Sequence, residues 1–138
     1  MFSLHPQLAN DCLPLGTLRL CRLLLMNDAH YPWFILVPER EDLSELYQLS
    51  EPDRRQLWEE SAELSRALVE GFAPHKLNIA ALGNQVPQLH LHHIVRYRHD
   101  PAWPQPVWGK LPPKPYYSAE IDKLHTLIQS LLGDALHG

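Results

Sequence analysis

The sequence has few cysteines and no long hydrophobic run. Only Cys12 and Cys21 occur in 138 residues, without the paired spacing of a zinc knuckle or a redox motif. We therefore expect two buried thiols and no disulfide. The longest apolar runs, such as WFILV, are too short to span a bilayer, and no basic segment followed by an apolar core begins the chain. These absences predict a soluble cytoplasmic protein with no membrane partner.

The chain also lacks an excess of charge of one sign. Its formal net charge is −4, and no block of five or six like charges occurs. Bulk electrostatic attraction to nucleic acid is therefore not indicated, and we expect no nucleic-acid partner. A length of 138 residues with 45% hydrophobic content suits one domain with one sizeable core, so we expect a single domain over residues 1–138.

Short apolar runs predict four strands. Residues 17–27 and the run WFILVP at 33–38 are separated by the polar turn DAHYP, which favours a hairpin. Residues 76–84 and 88–97 favour a second antiparallel pair. With a helix after each pair, this order indicates an α+β protein with an antiparallel sheet.

Two amphipathic patterns predict the helices. Ser50, followed by Pro52 and by Asp53 three residues on, is typical of a helix start. An apolar stripe continues that helix through Leu57, Leu64, Leu68 and Phe72. Ser118 is expected to cap a C-terminal helix over about 118–136. Between them, the proline-rich residues 100–116 exclude a regular helix or central strand, so we expect an ordered surface arm carrying Trp103 and Trp108.

The stretch QLHLHH at residues 88–93 contains the candidate catalytic side chains. Because strand side chains alternate, Gln88, His90 and His92 should share one face, about 6.6 Å apart, while His93 points to the other. A neutral imidazole can act as a nucleophile and as a proton carrier near neutral pH. Such a row suits attack on a phosphorus or acyl centre.

The segment NQVPQLHLHHIVRY resembles the signature of the histidine triad (HIT) nucleotide hydrolases and transferases. The upstream segment LLMNDAHYPWFILVPE is similar to the nucleoside-binding hairpin of that family, and the helix between the two segments falls where the family has one. The resemblance covers about residues 15–98, which we take as the motif-bearing core. It implies a HIT-like fold: an antiparallel sheet with a long helix packed on it.

Within this resemblance, His90 matches the middle histidine, which in the family attacks the α-phosphate and becomes nucleotidylated. His92 matches the last histidine, which contacts the phosphate. Gln88 takes the place of the first histidine. A carboxamide donates and accepts hydrogen bonds but cannot relay a proton at neutral pH, so protonation of the leaving group is expected to be impaired.

The resemblance also implies the substrate-binding residues. Asn84 and Gln85 fall in the turn whose side chains and amides hold phosphate oxygens. Asn27 matches the residue that binds the ribose hydroxyls, and Asp28 is the alternative at that position. The turn ALGNQV is shorter than the glycine-rich loop usual in the family, and Leu82 lies near a position where a polar nucleoside contact is often found. Recognition of the base or ribose is expected to differ accordingly.

The expected function is nucleotide hydrolysis or nucleotidyl transfer through a nucleotidyl-histidine intermediate, on a nucleoside phosphoramidate, a dinucleoside polyphosphate or a related compound. The alternative is a non-catalytic nucleotide-binding sensor that has lost the first triad histidine. The resemblance further implies a homodimer and no obligatory cofactor. A zinc site is a separate hypothesis, but His93 should point away from the other histidines, so no metal is expected.

Overall fold

The computed structural model describes residues 1–138 and contains five strands and three helices. The strands are β1 (Cys12–Thr17), β2 (Cys21–Met26), β3 (Trp33–Pro38), β4 (Lys76–Ala80) and β5 (Leu91–Arg96). The helices are α1 (Pro6–Asp11), α2 (Glu51–Phe72) and α3 (Ser118–Leu132), with 3-10 turns at Leu46–Gln48 and Gly133–Ala135. None of the helices combines the length and hydrophobicity that a membrane crossing requires.

All five strands form one antiparallel sheet in the order β1-β2-β3-β5-β4, so the α+β prediction is confirmed. The predicted hairpin is β2 with β3. Strand β5 lies between β3 and β4, with His92 opposite Ile35 and His93 opposite Phe34 on β3. The histidine-bearing strand is therefore central, and its side chains are covered on both faces.

Each face of the sheet buries a different layer of the core. One face carries a cluster rich in leucine that packs under α2 and includes Leu23, Leu57, Leu64 and Leu91. The other face carries a smaller cluster with Trp33 and Ile35, which the arm covers through Ala102 and Val107. Strand alternation therefore directs His93 toward α2 and directs His90 and His92 toward the arm.

Two elements escape the sequence prediction, and three predicted strands are shorter than expected: 17–27 corresponds to β2, 76–84 to β4 and 88–97 to β5. Strand β1 contains Pro14 and Gly16, which weaken a strand signal but are tolerated at a sheet edge. The predicted strand 17–27 breaks before β2, where the Glu60 carboxylate of α2 accepts hydrogen bonds from the Leu20 and Cys21 amides at 2.8 and 2.9 Å. The second missed element, α1, has only six residues and too short a pattern to recognise.

The structure confirms one of the two predicted helix caps and corrects the other. Ser50 is confirmed as the cap of α2, because its side chain accepts a hydrogen bond from the Asp53 amide. Ser118 is wrong as a cap, because it is already the first residue of α3. Tyr117 occupies the cap position instead, and its amide donates to the Glu120 carboxylate at 2.9 Å. The Glu120 side chain thus provides a hydrogen-bond acceptor for that amide, and no serine cap is needed.

Candidate functional site

His90 is buried just before β5, and its two ring nitrogens have different roles. Nδ1 lies 2.7 Å from the Gln88 carbonyl oxygen. Since a carbonyl only accepts, Nδ1 carries the proton and Nε2 retains a lone pair. Burial lowers the pKa of His90 from its ordinary value, with the hydrogen bond to the Gln88 carbonyl opposing and the charge of His5 assisting. His90 is thus a neutral imidazole with one unprotonated nitrogen, as a nucleophile requires.

His92 is locked in the opposite tautomer. Trp33 Nε1–H donates to Nδ1 at 3.0 Å, so the proton lies on Nε2, which donates to the Leu82 carbonyl at 3.0 Å. Burial lowers the pKa of His92 to about 4, with the neighbouring charge of His90 acting in the same direction. The ring centroids of His90 and His92 are 4.7 Å apart. The two histidines are therefore brought together as the sequence predicts, both of them neutral.

Gln88 uses its side chain on the N-terminal segment, which we define as residues 1–5. Its Oε1 accepts from the His5 amide at 2.8 Å, and its Nε2 donates to the Ser3 carbonyl at 2.9 Å. Strand β5 begins only at Leu91, so the predicted start of the strand at 88 is wrong. Gln88 is linked to His90 through its backbone carbonyl, while its carboxamide holds residues from the other end of the chain.

The turn before the histidines lies directly against His90. A Cβ placed on Gly83 would approach the Val86 carbonyl oxygen to 2.6 Å and His90 Cε1 to 3.4 Å. Only glycine can occupy this position while the turn lies so close to Val86 and His90. Asn84 and Gln85 follow at the exposed tip of the turn. The structure thus places this turn at the site, with both predicted phosphate-binding residues facing solvent.

Asn27 and Asp28 connect the β2–β3 hairpin to the arm. Asn27 Oδ1 accepts from the Tyr116 amide at 2.9 Å, and Asp28 Oδ1 accepts from the Lys114 amide at 3.2 Å and bonds His30 Nδ1 at 2.8 Å. These contacts give both residues a structural role. They do not remove them from the site, because both also line a cleft between the hairpin and the arm.

This cleft has a volume of about 370 Å³ and is connected to His92 through two tryptophans that line it. Trp33 and Trp108 form part of its wall, with Met26, Val107, Leu111 and Pro113 among the other lining residues. The Trp108 ring centroid lies 5.1 Å from that of His92 and 5.7 Å from that of Trp33, both in edge-to-face geometry. The cleft therefore combines aromatic walls with the polar side chains of Asn27 and Asp28.

Three further residues complete the comparison with the sequence predictions. His93 is fully buried on the other face, and its Nε2 accepts from the Ser61 hydroxyl at 2.7 Å, as expected for a packed residue. Cys12 and Cys21 are both free and buried, which confirms that expectation. No group of three or more His, Cys, Asp or Glu side chains converges in a manner that could hold a metal ion.

Sequence reasoning missed three participants in the site. Trp33 is the partner of His92, Trp108 stacks edge-on against both of them, and His5 bonds to Gln88. The strand order and register that bring Trp33 to His92 do not show in a single sequence. The two tryptophans of the arm were the one available signal, since a flexible linker has little use for them.

An antiparallel sheet with neutral His90 just before its central strand β5, neutral His92 on that strand and a glycine turn beside them is typical of a histidine triad protein. The sequence matches the HIT domain family over residues 8–99, and the chain belongs to that family. No curated protein matches the sequence.

Solved structures agree with this assignment. The chain is similar to a histidine triad protein from Marinobacter aquaeolei VT8, with 51% identity, 98% of each chain covered and a TM-score of 0.95. A histidine triad protein from Bradyrhizobium japonicum shares 44% identity over 95% of this chain and 98% of its own, with a TM-score of 0.93. A third, from Sinorhizobium meliloti 1021, shares 41% identity over 96% and 98%, with a TM-score of 0.94.

Proposed function

We propose that the protein is a nucleotide hydrolase or nucleotidyl transferase in which His90 attacks the α-phosphate of its substrate. The observation that carries the proposal is the tautomer of His90. Its Nδ1–H is held by the Gln88 carbonyl at 2.7 Å, which leaves Nε2 unprotonated in a buried position next to His92. Because the pKa of His90 is lowered, the attacking lone pair is available throughout the neutral range.

In the first step, the Nε2 lone pair of His90 forms a bond to the α-phosphorus, and the bond from phosphorus to the leaving group breaks with its electron pair. The imidazole ring then carries a positive charge. The Gln88 carbonyl, already bound to Nδ1–H, stabilises that charge in a buried environment. The exposed turn supplies the Asn84 and Gln85 amides and side chains, which we assign to the phosphate oxygens.

In the second step, water or another acceptor attacks the phosphorus of the nucleotidyl-histidine, and His90 is released as a neutral imidazole. His92 stays neutral because of its low pKa, so we assign it to hydrogen bonding and packing beside the phosphate, with no role in proton transfer. Neither step requires a metal or a cofactor.

The cleft beside His92 is our candidate for the nucleoside. A base can pack against Trp33 and Trp108, and we assign Asn27 and Asp28, which line the same cleft, to the ribose hydroxyls. We assign the substrate class implied by the family resemblance, which comprises nucleoside phosphoramidates, dinucleoside polyphosphates and related compounds. That Gln88 stands where relatives have a histidine remains a prediction from the sequence.

The second candidate function is a non-catalytic nucleotide sensor, and one observation favours it. The Gln88 carboxamide is engaged on both its oxygen and its nitrogen by the N-terminal segment, and the pKa values of His90 and His92 are lowered. The histidine row therefore contains no group that readily protonates a leaving group. A protein that only binds would have no need of one.

Single-turnover incubation separates the two functions. Wild type, His90→Ala and His99→Ala, a control at an exposed histidine, are incubated with adenosine phosphoramidate and with diadenosine tetraphosphate. A hydrolase releases AMP in wild type and His99→Ala, and His90→Ala slows release by about 10³-fold or more while still binding nucleotide. An intact-mass gain of one nucleotidyl group, seen after a denaturing alkaline quench and absent in His90→Ala, identifies the intermediate. Binding without release in all three proteins would instead support the sensor.

We also propose a homodimer located in the cytoplasm. Trp58 and Val69 on α2 and Ile79 on the edge strand β4 are exposed apolar side chains that a second copy could cover. Light scattering coupled to size-exclusion chromatography tests the proposal. A mass near twice 15.9 kDa would support the dimer, and a mass near 15.9 kDa across the micromolar range would contradict it.

A further inference from the structure

The N-terminal segment is fixed against the histidine site by several contacts. The Phe2 ring lies under the Arg22 guanidinium at 4.9 Å. The Gln88 carboxamide accepts a hydrogen bond from the His5 amide and donates one to the Ser3 carbonyl. Leu8, in the helix that follows, is buried in the smaller core cluster and anchors the far end of the segment. A terminal segment tied down in this way holds its side chains in defined positions.

Gln88 joins His5 to His90 through two short hydrogen bonds. Its side-chain oxygen accepts from the His5 amide at 2.8 Å, and its backbone oxygen accepts from His90 Nδ1 at 2.7 Å. The charge of His5 is also near enough to lower the pKa of His90. The structure therefore brings His5 beside the proposed nucleophile, although the two are far apart in the sequence.

The hydrogen bonds of His5 determine which of its nitrogens carries the proton. The Gln7 amide donates to His5 Nδ1 at 3.0 Å, so Nδ1 is an acceptor and the neutral ring bears its proton on Nε2. The half-buried ring lines a cavity of about 560 Å³, which Gln88 and Ser44 also line. Nε2–H has no hydrogen-bond partner in the chain and is available to a molecule in that cavity.

The imidazole N–H groups of His90 and His92 are already in use. Nδ1–H of His90 donates to the Gln88 carbonyl, and Nε2–H of His92 donates to the Leu82 carbonyl. The Gln88 carboxamide donates to the Ser3 carbonyl. A leaving group that departs toward the N-terminal segment would meet the unpartnered Nε2–H of His5 there, whereas the Asn84 and Gln85 side chains are assigned to the phosphate oxygens.

We propose that the N-terminal segment completes the active site: the Nε2–H of His5 donates a hydrogen bond to the leaving-group atom, and Gln88 is the residue that positions His5. The proposal rests on the proposed function, since it needs His90 to attack a phosphorus centre. It gives Gln88 a task that a carboxamide can perform without relaying a proton.

The chemistry matches a donor that keeps its proton. His90 Nε2 forms the bond to phosphorus, the bond from phosphorus to the leaving oxygen breaks, and that oxygen retains the electron pair. His5 Nε2–H stabilises the resulting anion by a hydrogen bond, and solvent later protonates the released anion where its pKa requires it. Transfer of a proton from neutral His5 would leave an imidazolate, so the donor acts by hydrogen bonding alone.

The test uses the p-nitrophenyl and phenyl esters of AMP. The nitro group delocalises the negative charge of the leaving oxygen, whereas phenolate keeps most of that charge on the oxygen and depends more on a hydrogen-bond donor. His5→Asn is the decisive variant, because asparagine is a good helix cap and can still accept from the Gln7 amide, yet it places no donor where Nε2 lies. We expect His5→Asn to lower kcat/KM for the phenyl ester by about 10²-fold. The p-nitrophenyl ester should lose only a few-fold, and the thermal midpoint should stay near that of wild type.

Gln88→Ala tests the positioning part. It keeps His5 but releases the N-terminal segment, so it should reproduce the selective loss on the phenyl ester. His5→Ala, which also loses the cap, should show the same selectivity with a lower thermal midpoint. Wild-type rates for Gln88→Ala alongside a selective loss in His5→Asn would overturn the role of Gln88.

The remaining outcomes separate this inference from the proposed function. Equal losses on both esters in His5→Asn, or no loss on either, would overturn the role of His5 while a His90-dependent turnover left the proposed function standing. Absence of turnover of both esters by wild type would overturn the proposed function, and this inference with it.

Discussion

Trp33 donates its indole N–H to Nδ1 of His92 at 3.0 Å, and together with the Leu82 carbonyl this bond holds the His92 proton on Nε2. Trp33 belongs to β3 and is itself buried, so its ring is fixed by the packing of the central strands. Because an indole N–H only donates, His92 must accept at Nδ1 and carry its proton on Nε2. The orientation of one histidine is thus set from the neighbouring strand.

Trp33→Phe should weaken catalysis without removing a residue that touches the substrate phosphate. The substitution keeps an aromatic ring but removes the donor, so His92 Nδ1 loses its hydrogen-bond partner while the Leu82 carbonyl still holds the proton on Nε2. The loss of one hydrogen bond, about 1 kcal/mol, corresponds to roughly a 5- to 10-fold decrease in kcat/KM on the p-nitrophenyl ester of AMP. Nitrogen-15 spectra of the histidine rings should show the loss of the hydrogen bond at Nδ1, with the proton still on Nε2. Trp58→Phe, at an exposed position, is the control and should leave both measurements unchanged.

Gly83→Ala should impair activity more than stability. The added Cβ would lie 2.6 Å from the Val86 carbonyl oxygen, so the backbone of the turn must move away from His90. The tip of the turn is exposed, and we expect the thermal midpoint to fall by only a few degrees. A decrease in kcat/KM of about 10-fold or more is expected, since the amides that we assign to the phosphate oxygens would lose their alignment. Unchanged kinetics would show that the turn does not contact the substrate.

Arg96→Met should destabilise the fold strongly. Arg96 and Asp100 form a buried, two-pronged ion pair at 2.8 and 3.2 Å, and Arg96 also donates to the Gln105 carbonyl of the arm. Removing one partner leaves the other charge buried and unpaired, at a cost of about 3–5 kcal/mol in urea unfolding. Arg55→Met, which breaks the exposed pair with Glu51, should cost less than about 1 kcal/mol. Similar losses in the two variants would contradict the burial of the Arg96 pair.

Stability should decrease as the pH falls from about 6.5 to 4. Burial lowers the pKa of His93 to about 4 in the folded protein, whereas the unfolded chain titrates near 6.5. Between about pH 6.5 and 4, His93 is therefore protonated in the unfolded state but not in the folded state, and this difference favours unfolding. The difference corresponds to about 3 kcal/mol for this residue across the interval.

Urea unfolding of wild type and His93→Gln at pH 7.5 and 5.0 measures this contribution. The variant is less stable at the higher pH because it loses the shape of the imidazole beside Ser61. Its free energy of unfolding should nevertheless fall less between the two pH values than that of wild type. An identical fall in both proteins would show that His93 does not account for the acid sensitivity.

The sequence predicts the site better within a strand than between segments. Alternation alone places His90 and His92 on one face and His93 on the other, and the Ser50 cap is local as well. These features depend on neighbours in the sequence. The direction of the Gln88 side chain depends on Ser3 and His5, whose bonds to it no local pattern encodes.

The missed elements have a related cause. Strand β1 is an edge strand interrupted by Pro14 and Gly16, and its strand character comes from pairing with β2. Helix α1 is a single short turn that depends on the core contact of Leu8. Tertiary contacts override weak local signals in both places.

The hydrogen bonds that build the site join the two halves of the chain, and this has a consequence for synthesis. His5 meets Gln88 across 83 positions, and Asn27 meets Tyr116 across 89. Closing such long loops costs chain entropy, and no contact offsets this cost until both partners are present. On the ribosome, the cleft cannot be completed until the residues around Tyr116 have emerged. A nascent chain therefore passes through most of its translation without the complete cleft, and the arm is the last part to be added.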